Sequence, residues 1–180
     1  MTTEERIRKA AIELLEAHGA DGMTTRSVCE RAGVTAPTLY HHFGDKNGLV
    51  RAIVTEGITE FMSMKRAMRV TADPLADLRR GWHGWIDFGL ERPVLFRLMI
   101  DAARVDPTHL KASYEQMEEN VRRLQDVHGL KVELRVAVHS IWAAASGVQA
   151  LFIQGAKPSE IRASANLLFD ALVHAIAARS

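Results

Sequence analysis

The sequence is short of cysteine, of net charge and of strand-like alternation. Its single cysteine, Cys29, excludes a disulfide within the chain, and a lone thiol fits a reducing cytosol. Lysine and arginine number 23 against 22 acidic residues, for a formal charge of +1. Nothing global therefore announces a polyanionic partner or an anionic membrane, and any basic patch must be local. The opening MTTEERIRKA mixes charges and leads into no apolar run, so no secretory signal is expected. There is no Gly-rich phosphate loop and no histidine cluster at metal-ligand spacing. Neither a cofactor nor a metal is expected, and Ser140 with His139, or Asp87 with His83, form no catalytic motif.

One stretch lacks charge altogether. Between Arg135 and Lys157 there is no Asp, Glu, Lys or Arg. That length could cross a bilayer. It also holds His139, Ser140, Ser146, Gln149 and Gln154, which would need polar partners in lipid. The reading is a buried helix of a soluble, cytoplasmic protein and no membrane contact.

What is present is helical periodicity almost everywhere. Ile7, Ala11, Leu14 and Leu15 share one face of a helix over residues 4–18, stopped by Gly19. Short helices follow over 25–32 and 36–43, the first ended by Gly33 and the second carrying Pro37 in its first turn. Asp45 caps a long helix from Lys46 towards Val70, with Leu49, Ile53, Ile58, Phe61 and Met62 as apolar anchors. Further helices are predicted over 75–91, from Pro93, from Asp106 to about Val127, over 132–154 and over 159–178. In the last, Ile161, Ala165, Leu168, Leu172 and Ile176 lie in line. The fold class is all-α, with about nine helices and short loops.

Residues 24–43, TTRSVCERAGVTAPTLYHHF, are two short helices around a tight Gly33-Val34-Thr35 turn, the geometry of a helix-turn-helix. In that motif the second helix enters the major groove. Thr38, Tyr40, His41 and His42 can reach bases or phosphates, whereas Leu39 and Phe43, four apart, turn to the core. His41 and His42 are adjacent, about 100° apart around the helix, and do not readily share one metal ion. Cys29, beside Val28 and Ala32, reads as a small buried thiol.

The longer stretch TTRSVCERAGVTAPTLYHHFGDKNGLV resembles the DNA-binding domain of TetR-family transcriptional regulators, through its Thr-x-Arg-like start, central Ala-Gly-Val, Leu-Tyr-x-His-Phe run and following Lys. The resemblance covers about residues 4–55. It implies phosphate contacts from Thr25 and Arg26, base-facing positions at Thr35, Ala36, Pro37 and Thr38, and phosphate or sugar contacts from Tyr40, His41 and Lys46. Residues 1–55 hold seven basic and seven acidic side chains, so non-specific electrostatic affinity should be modest. The second motif helix has no Lys or Arg, so readout should rest on hydroxyl, apolar and shape contacts.

In the second half, Trp82-His83-Gly84, followed by Glu91-Arg92-Pro93 and Phe96-Arg97-Leu98-Met99, resembles a subgroup of that family named for a Trp-His-Gly motif. Trp82, Trp85, Phe88, Met99, Tyr114, Met117 and Trp142 could line a cavity or simply fill the core. His83, Asp87, His139 and Gln149 are possible polar partners there. The last two long helices are apolar on more than one face, and Ala143 to Gly147 with Ala150 permit close approach. A two-fold four-helix interface would cover them, and the resemblance implies the same homodimer.

The expectation is a helix-turn-helix DNA-binding domain over residues 1–50 and a ligand-binding and dimerisation domain over 51–180. The function expected is a dimeric, ligand-responsive repressor of transcription, released from a pseudo-palindromic double-stranded DNA site by an unknown, mostly apolar effector. The competing readings are a dimeric small-molecule-binding protein without DNA binding and a small helical enzyme.

Overall fold

The computed structural model describes residues 1–178. Nine α-helices carry the described residues: α1 Thr3–Gly22, α2 Thr25–Ala32, α3 Ala36–Phe43, α4 Lys46–Ala67, α5 Pro74–Glu91, α6 Pro93–Val105, α7 Lys111–His128, α8 Leu134–Gln154 and α9 Pro158–Ile176. Their ends follow local chemistry. Thr2 and Glu5 close α1 reciprocally: the Thr2 hydroxyl accepts from the Glu5 amide at 3.1 Å, and the Glu5 carboxylate accepts from the Thr2 amide at 2.7 Å. Asp45 caps α4, accepting from the Gly48 amide at 2.6 Å, and Asp73 caps α5 in the same way from Ala76 at 2.9 Å. Gly19 takes φ 67, so the helical path breaks where the sequence placed a stop, and one further turn carries α1 to Gly22.

Two boundaries and one buried face differ from the sequence reading. Asp106 caps a separate 3-10 turn, Pro107–Leu110, and α7 starts only at Lys111. Both the Thr108 amide and its hydroxyl donate to the Asp106 carboxylate, at 3.0 and 2.7 Å, which tightens the chain into that turn. The fourth helix ends at Ala67, short of Val70. In α9 the buried row is Ile161, Ala165, Phe169, Val173 and Ile176. Leu168 and Leu172 each sit one residue before that row, about 100° around the helix, and Leu168 is exposed.

Helix α1 packs on α2, α4 and α6, and α3 packs on α2 and α4. Helix α4 then runs on into the rest of the molecule against α5 and α6. There α5 lies at the centre, touching α4, α6, α7 and α9, and α8 packs on α6, α7 and α9. A chain of aromatic rings ties this part together. Phe61 meets Trp85 and Phe88 at 5.1 and 5.2 Å between centroids, Trp85 meets Phe96 at 4.5 Å, and Phe96 meets Phe152 at 4.8 Å. The Trp82 indole N–H donates to the Ala165 carbonyl at 3.2 Å and so ties α5 to α9. A single antiparallel bridge, Leu130 to Ala177, holds the end of α9 to the α7–α8 loop.

Helix α8 is long and apolar enough to cross a membrane by length and composition. Within one chain only Ala137, Val138, Ile141 and Val148 of it are buried. Val136, Ala143, Ser146 and Gly147 face outward, beside the exposed Leu167 and Leu168 of α9.

Candidate nucleic-acid interface and internal cleft

The α2–α3 pair is built by short-range bonds. Thr24 caps α2: its hydroxyl accepts from the Ser27 amide at 3.0 Å while the Ser27 hydroxyl accepts from the Thr24 amide at 2.9 Å. Helix α2 ends at Gly33, whose φ of 65 is left-handed. A side chain there would be strained, so this glycine makes the tight turn into α3. Both the Gly33 and Val34 amides donate to the Cys29 carbonyl. Cys29 is buried, and burial pushes its thiol above the usual range, with Glu30 adding to the effect.

Helix α3 is held from below. Leu39 and Phe43 are buried, at 1% and 9% exposure, against the α1–α2 core. The predicted groove-facing residues stay open around the rest of the helix. Thr35, Pro37, Tyr40 and His41 are exposed, and Ala36 and Thr38 are half-buried. The Thr35 and Thr38 hydroxyls lie 2.9 Å apart and bond to each other, and neither caps the helix. Each can rotate to an outside acceptor or donor without stranding a buried group. His41 and His42 meet edge to face at 5.4 Å. Thr25 and Arg26 open α2, and the Arg26 guanidinium holds Glu30 at 2.8 Å in an exposed pair. Lys46 opens α4, directly after the Asp45 cap, where helix N-terminal amides favour an anion.

The body contains a narrow cleft between α4, α5, α7 and α8, with a cavity volume of about 50 Å³ and an opening to solvent. Trp82, Trp85 and Trp142 line it, as do Met117 and Gln149. Phe88, Met99 and Tyr114 do not. Phe88 is consumed by packing on Phe61, Met99 is fully buried in the core, and Tyr114 stands edge-on to Trp142 at 5.2 Å. The polar candidates also divide. Asp87 pairs with Arg162 across to α9, and His139 is exposed. His83 is half-buried outside the cleft lining, with Nε2 lacking a hydrogen-bond partner. Among the described residues no group of three or more His, Cys, Asp and Glu could hold a metal.

The sequence reading missed Lys65, which lines the cleft at 7% exposure. Its ammonium donates to the Gly81 carbonyl at 3.2 Å and lies 5.6 Å from the Phe61 ring centroid. Gly81 eases the close approach, because a Cβ there would stand 3.2 Å from Nζ. Burial pulls the Lys65 ammonium down to about 8. The signal was available: Lys65 falls four residues after Phe61, on the same stripe as Leu49, Ile53 and Gly57. A nearby carboxylate behaves oppositely. Burial works against the charge of Asp77, but bonds from the Thr71 amide, Arg123 and the Thr71 hydroxyl, together with the Arg80 charge, hold it well below the usual carboxylate range.

A helix-turn-helix module joined by one long helix to a helical body with an internal cleft defines the class of this protein. Residues 7–53 match the model of the bacterial regulatory proteins, tetR family. It is 42% identical over 74 residues to the HTH-type transcriptional regulatory protein RaaS of Mycobacterium tuberculosis, covering 41% of this chain and 34% of that protein. It is 44% identical over 52 residues to the class A tetracycline repressor from transposon 1721 of Escherichia coli, covering 29% of this chain and 24% of the repressor. The matched part thus spans only 34% and 24% of these relatives' length. The whole fold is shared more widely. A TetR transcription regulator from Haloarcula marismortui superposes with a TM-score of 0.78 at 14% identity, over 97% of this chain and 98% of its own. The regulator PfmR from Thermus thermophilus does so with a TM-score of 0.70 at 19% identity, over 92% and 97%.

Proposed function

We propose that the chain is a ligand-responsive, DNA-binding transcriptional regulator, acting in the cytoplasm as a repressor and not as an enzyme. The observation that carries this is the two-sidedness of α3: Leu39 and Phe43 anchor it, while Thr35, Pro37, Tyr40 and His41 are presented together. In this reading Thr35, Ala36, Pro37 and Thr38 meet base edges, and Thr25, Arg26, Tyr40, His41 and Lys46 meet phosphate and sugar. Residues 1–50 form the DNA-binding domain and 51–180 the ligand-binding and dimerisation domain.

The working unit is a homodimer through α8 and α9. The apolar and small residues those helices leave open support this, Leu167 at 71% and Val136 at 49% exposure among them. Two copies of α3 then read two half-sites roughly 34 Å apart on one face of a pseudo-palindrome. The cleft lined by Trp82, Trp85 and Trp142 takes a small, mostly apolar effector. That effector acts only by binding better to the state whose α3 helices are wrongly spaced. The body belongs with the Trp-His-Gly subgroup. Its motif residues are in use here: Trp82 bonds to α9, and Gly84 leaves room for Met68, whose Cε would lie 2.4 Å from a Cβ.

The test is a gel shift with DNA from upstream of the protein's own gene. A shift at low salt is expected. Its absence with every upstream fragment would overturn the assignment.

A further inference from the structure

The cleft is apolar on most sides; Ser113, Asn120 and Gln149 bring groups that both donate and accept, while Lys65 and Trp85 bring donors alone. Lys65 brings an ammonium with three N–H donors, of which one is used, on the Gly81 carbonyl. Among the described residues no carboxylate pairs with it, and burial is the sole cause given by its surroundings for its lowered proton affinity. Asp77 lies near a smaller pocket shared with Lys65, but its oxygens are taken by Arg80, Arg123 and Thr71. The second group is Trp85, 8% exposed, whose indole Nε1 is buried with no acceptor. A buried N–H without a partner is costly, and a buried cation without a counter-ion costs more. Two unmet donors in one apolar cleft call for an acceptor that carries charge.

We propose that the effector is an apolar monocarboxylate, its carboxylate seated against the Lys65 ammonium and the Trp85 indole N–H. This rests on the cleft being the effector site. The tail lies among Leu78, Ile141 and Trp142, and Met117 gives the unbranched, adaptable wall. A neutral alcohol can accept from Trp85 but leaves the ammonium without a counter-ion. An amine places a second cation beside the first.

The three tryptophans of the chain all line the cleft, so their emission reports occupancy directly. The experiment titrates the full chain with 4-phenylbutyrate, 4-phenylbutanol and 4-phenylbutylamine. The acid should bind at least tenfold more tightly than the alcohol, and the amine most weakly. Lys65→Met should abolish the preference for the acid and leave the alcohol within threefold of its original affinity. Equal binding of acid and alcohol by the unaltered protein, or a preference that survives in Lys65→Met, overturns the carboxylate assignment while the cleft remains an effector site. No change in emission with any of the three overturns the cleft reading and the proposal with it. Should Lys65→Met not fold, Lys65→Gln and the three-compound comparison on the unaltered protein decide by the same criteria.

Discussion

The two halves of the molecule place their charges by opposite rules. In the α1–α3 module most charges stay outside, in pairs such as Arg26 with Glu30 and Arg31 with Glu13, and the half-buried Arg8 is paired with Glu4 and Glu56. The core beneath is purely apolar: Ile7, Leu14, Val28 and Leu39. In the body, charge is taken inside. Asp77 is buried and fully bonded, and Lys65 is buried and almost unbonded. A surface that must meet a polyanion needs side chains that can change partners at little cost, since exposed pairs contribute only about 0–1 kcal/mol. A site that must recognise a small molecule gains from a group whose bonds are missing until the ligand arrives. Under the proposed function, one half is suited to be re-paired by DNA and the other to be completed by a ligand.

The largest blow to this contrast falls on the completed charge. Asp77→Ala leaves Arg123 and Arg80 facing an empty space and should cost about 2–4 kcal/mol, read by urea unfolding. Because the carboxyl is held below its ordinary range, its contribution is full above about pH 4 and declines as pH falls below that. The unaltered protein and Asp77→Ala should therefore converge in stability at strongly acid pH. If they stay apart by the same amount down to pH 2, the loss is one of packing and not of charge.

Next is the incomplete charge. Lys65 has its folded value lowered to about 8, so between about pH 8 and 10.5 the unfolded chain holds a proton that the folded chain has released. Folding stability attributable to Lys65 must then rise with pH across that window. Lys65→Met should be more stable than the unaltered protein by roughly 2–3 kcal/mol at pH 7, and the gap should close by about pH 10.5. A destabilised Lys65→Met at pH 7 would mean that the ammonium is better satisfied than its single bond to Gly81 indicates.

The module should give the reverse pattern, function lost with stability kept. Tyr40→Ala at 48% exposure should change stability by less than about 0.5 kcal/mol yet weaken binding to the upstream DNA about tenfold, by anisotropy. The smallest effect is that of Arg26→Ala. It should lower the salt dependence of DNA binding by about one counter-ion per subunit with little change in sequence preference. A change of preference would move Arg26 from the phosphates to a base edge.

Much of this was legible in the sequence, and the reasons are local. Glycine, proline and capping residues placed the ends of α2, α3 and α5 because those ends depend on bonds spanning three or four residues. The turn at Gly33 and the exposed residues of α3 followed from spacing alone. The dry side of α9 did not. Leu168 and Leu172 fit a helical stripe as well as Phe169 and Val173 do, and only the position of α5 and α8 decides which stripe is buried. The cleft was half legible. All three tryptophans were named, but Phe88, Met99 and Tyr114 were named by residue type, and type does not separate a lining ring from a packed one. Lys65 was passed over because a lysine near the end of a long helix looks solvated. The α4 stripe of Leu49, Ile53, Gly57 and Phe61 leads to it, but its bond to the Gly81 carbonyl, sixteen residues further on, lies outside any local window.

Helix α4 carries Lys46 in its first turn and Lys65 in its last, nineteen residues apart. At 1.5 Å per residue the two lie about 28 Å apart on one straight rod. A rod of that length multiplies angle into distance. Pivoting by about 5° around its cleft end would carry the DNA end sideways by about 2.4 Å, and in a symmetric pair the two ends would move by twice that relative to each other. Under the proposed function, an ångström-scale repositioning at the cleft would be the same event as a mismatch of several ångströms against a fixed helical repeat.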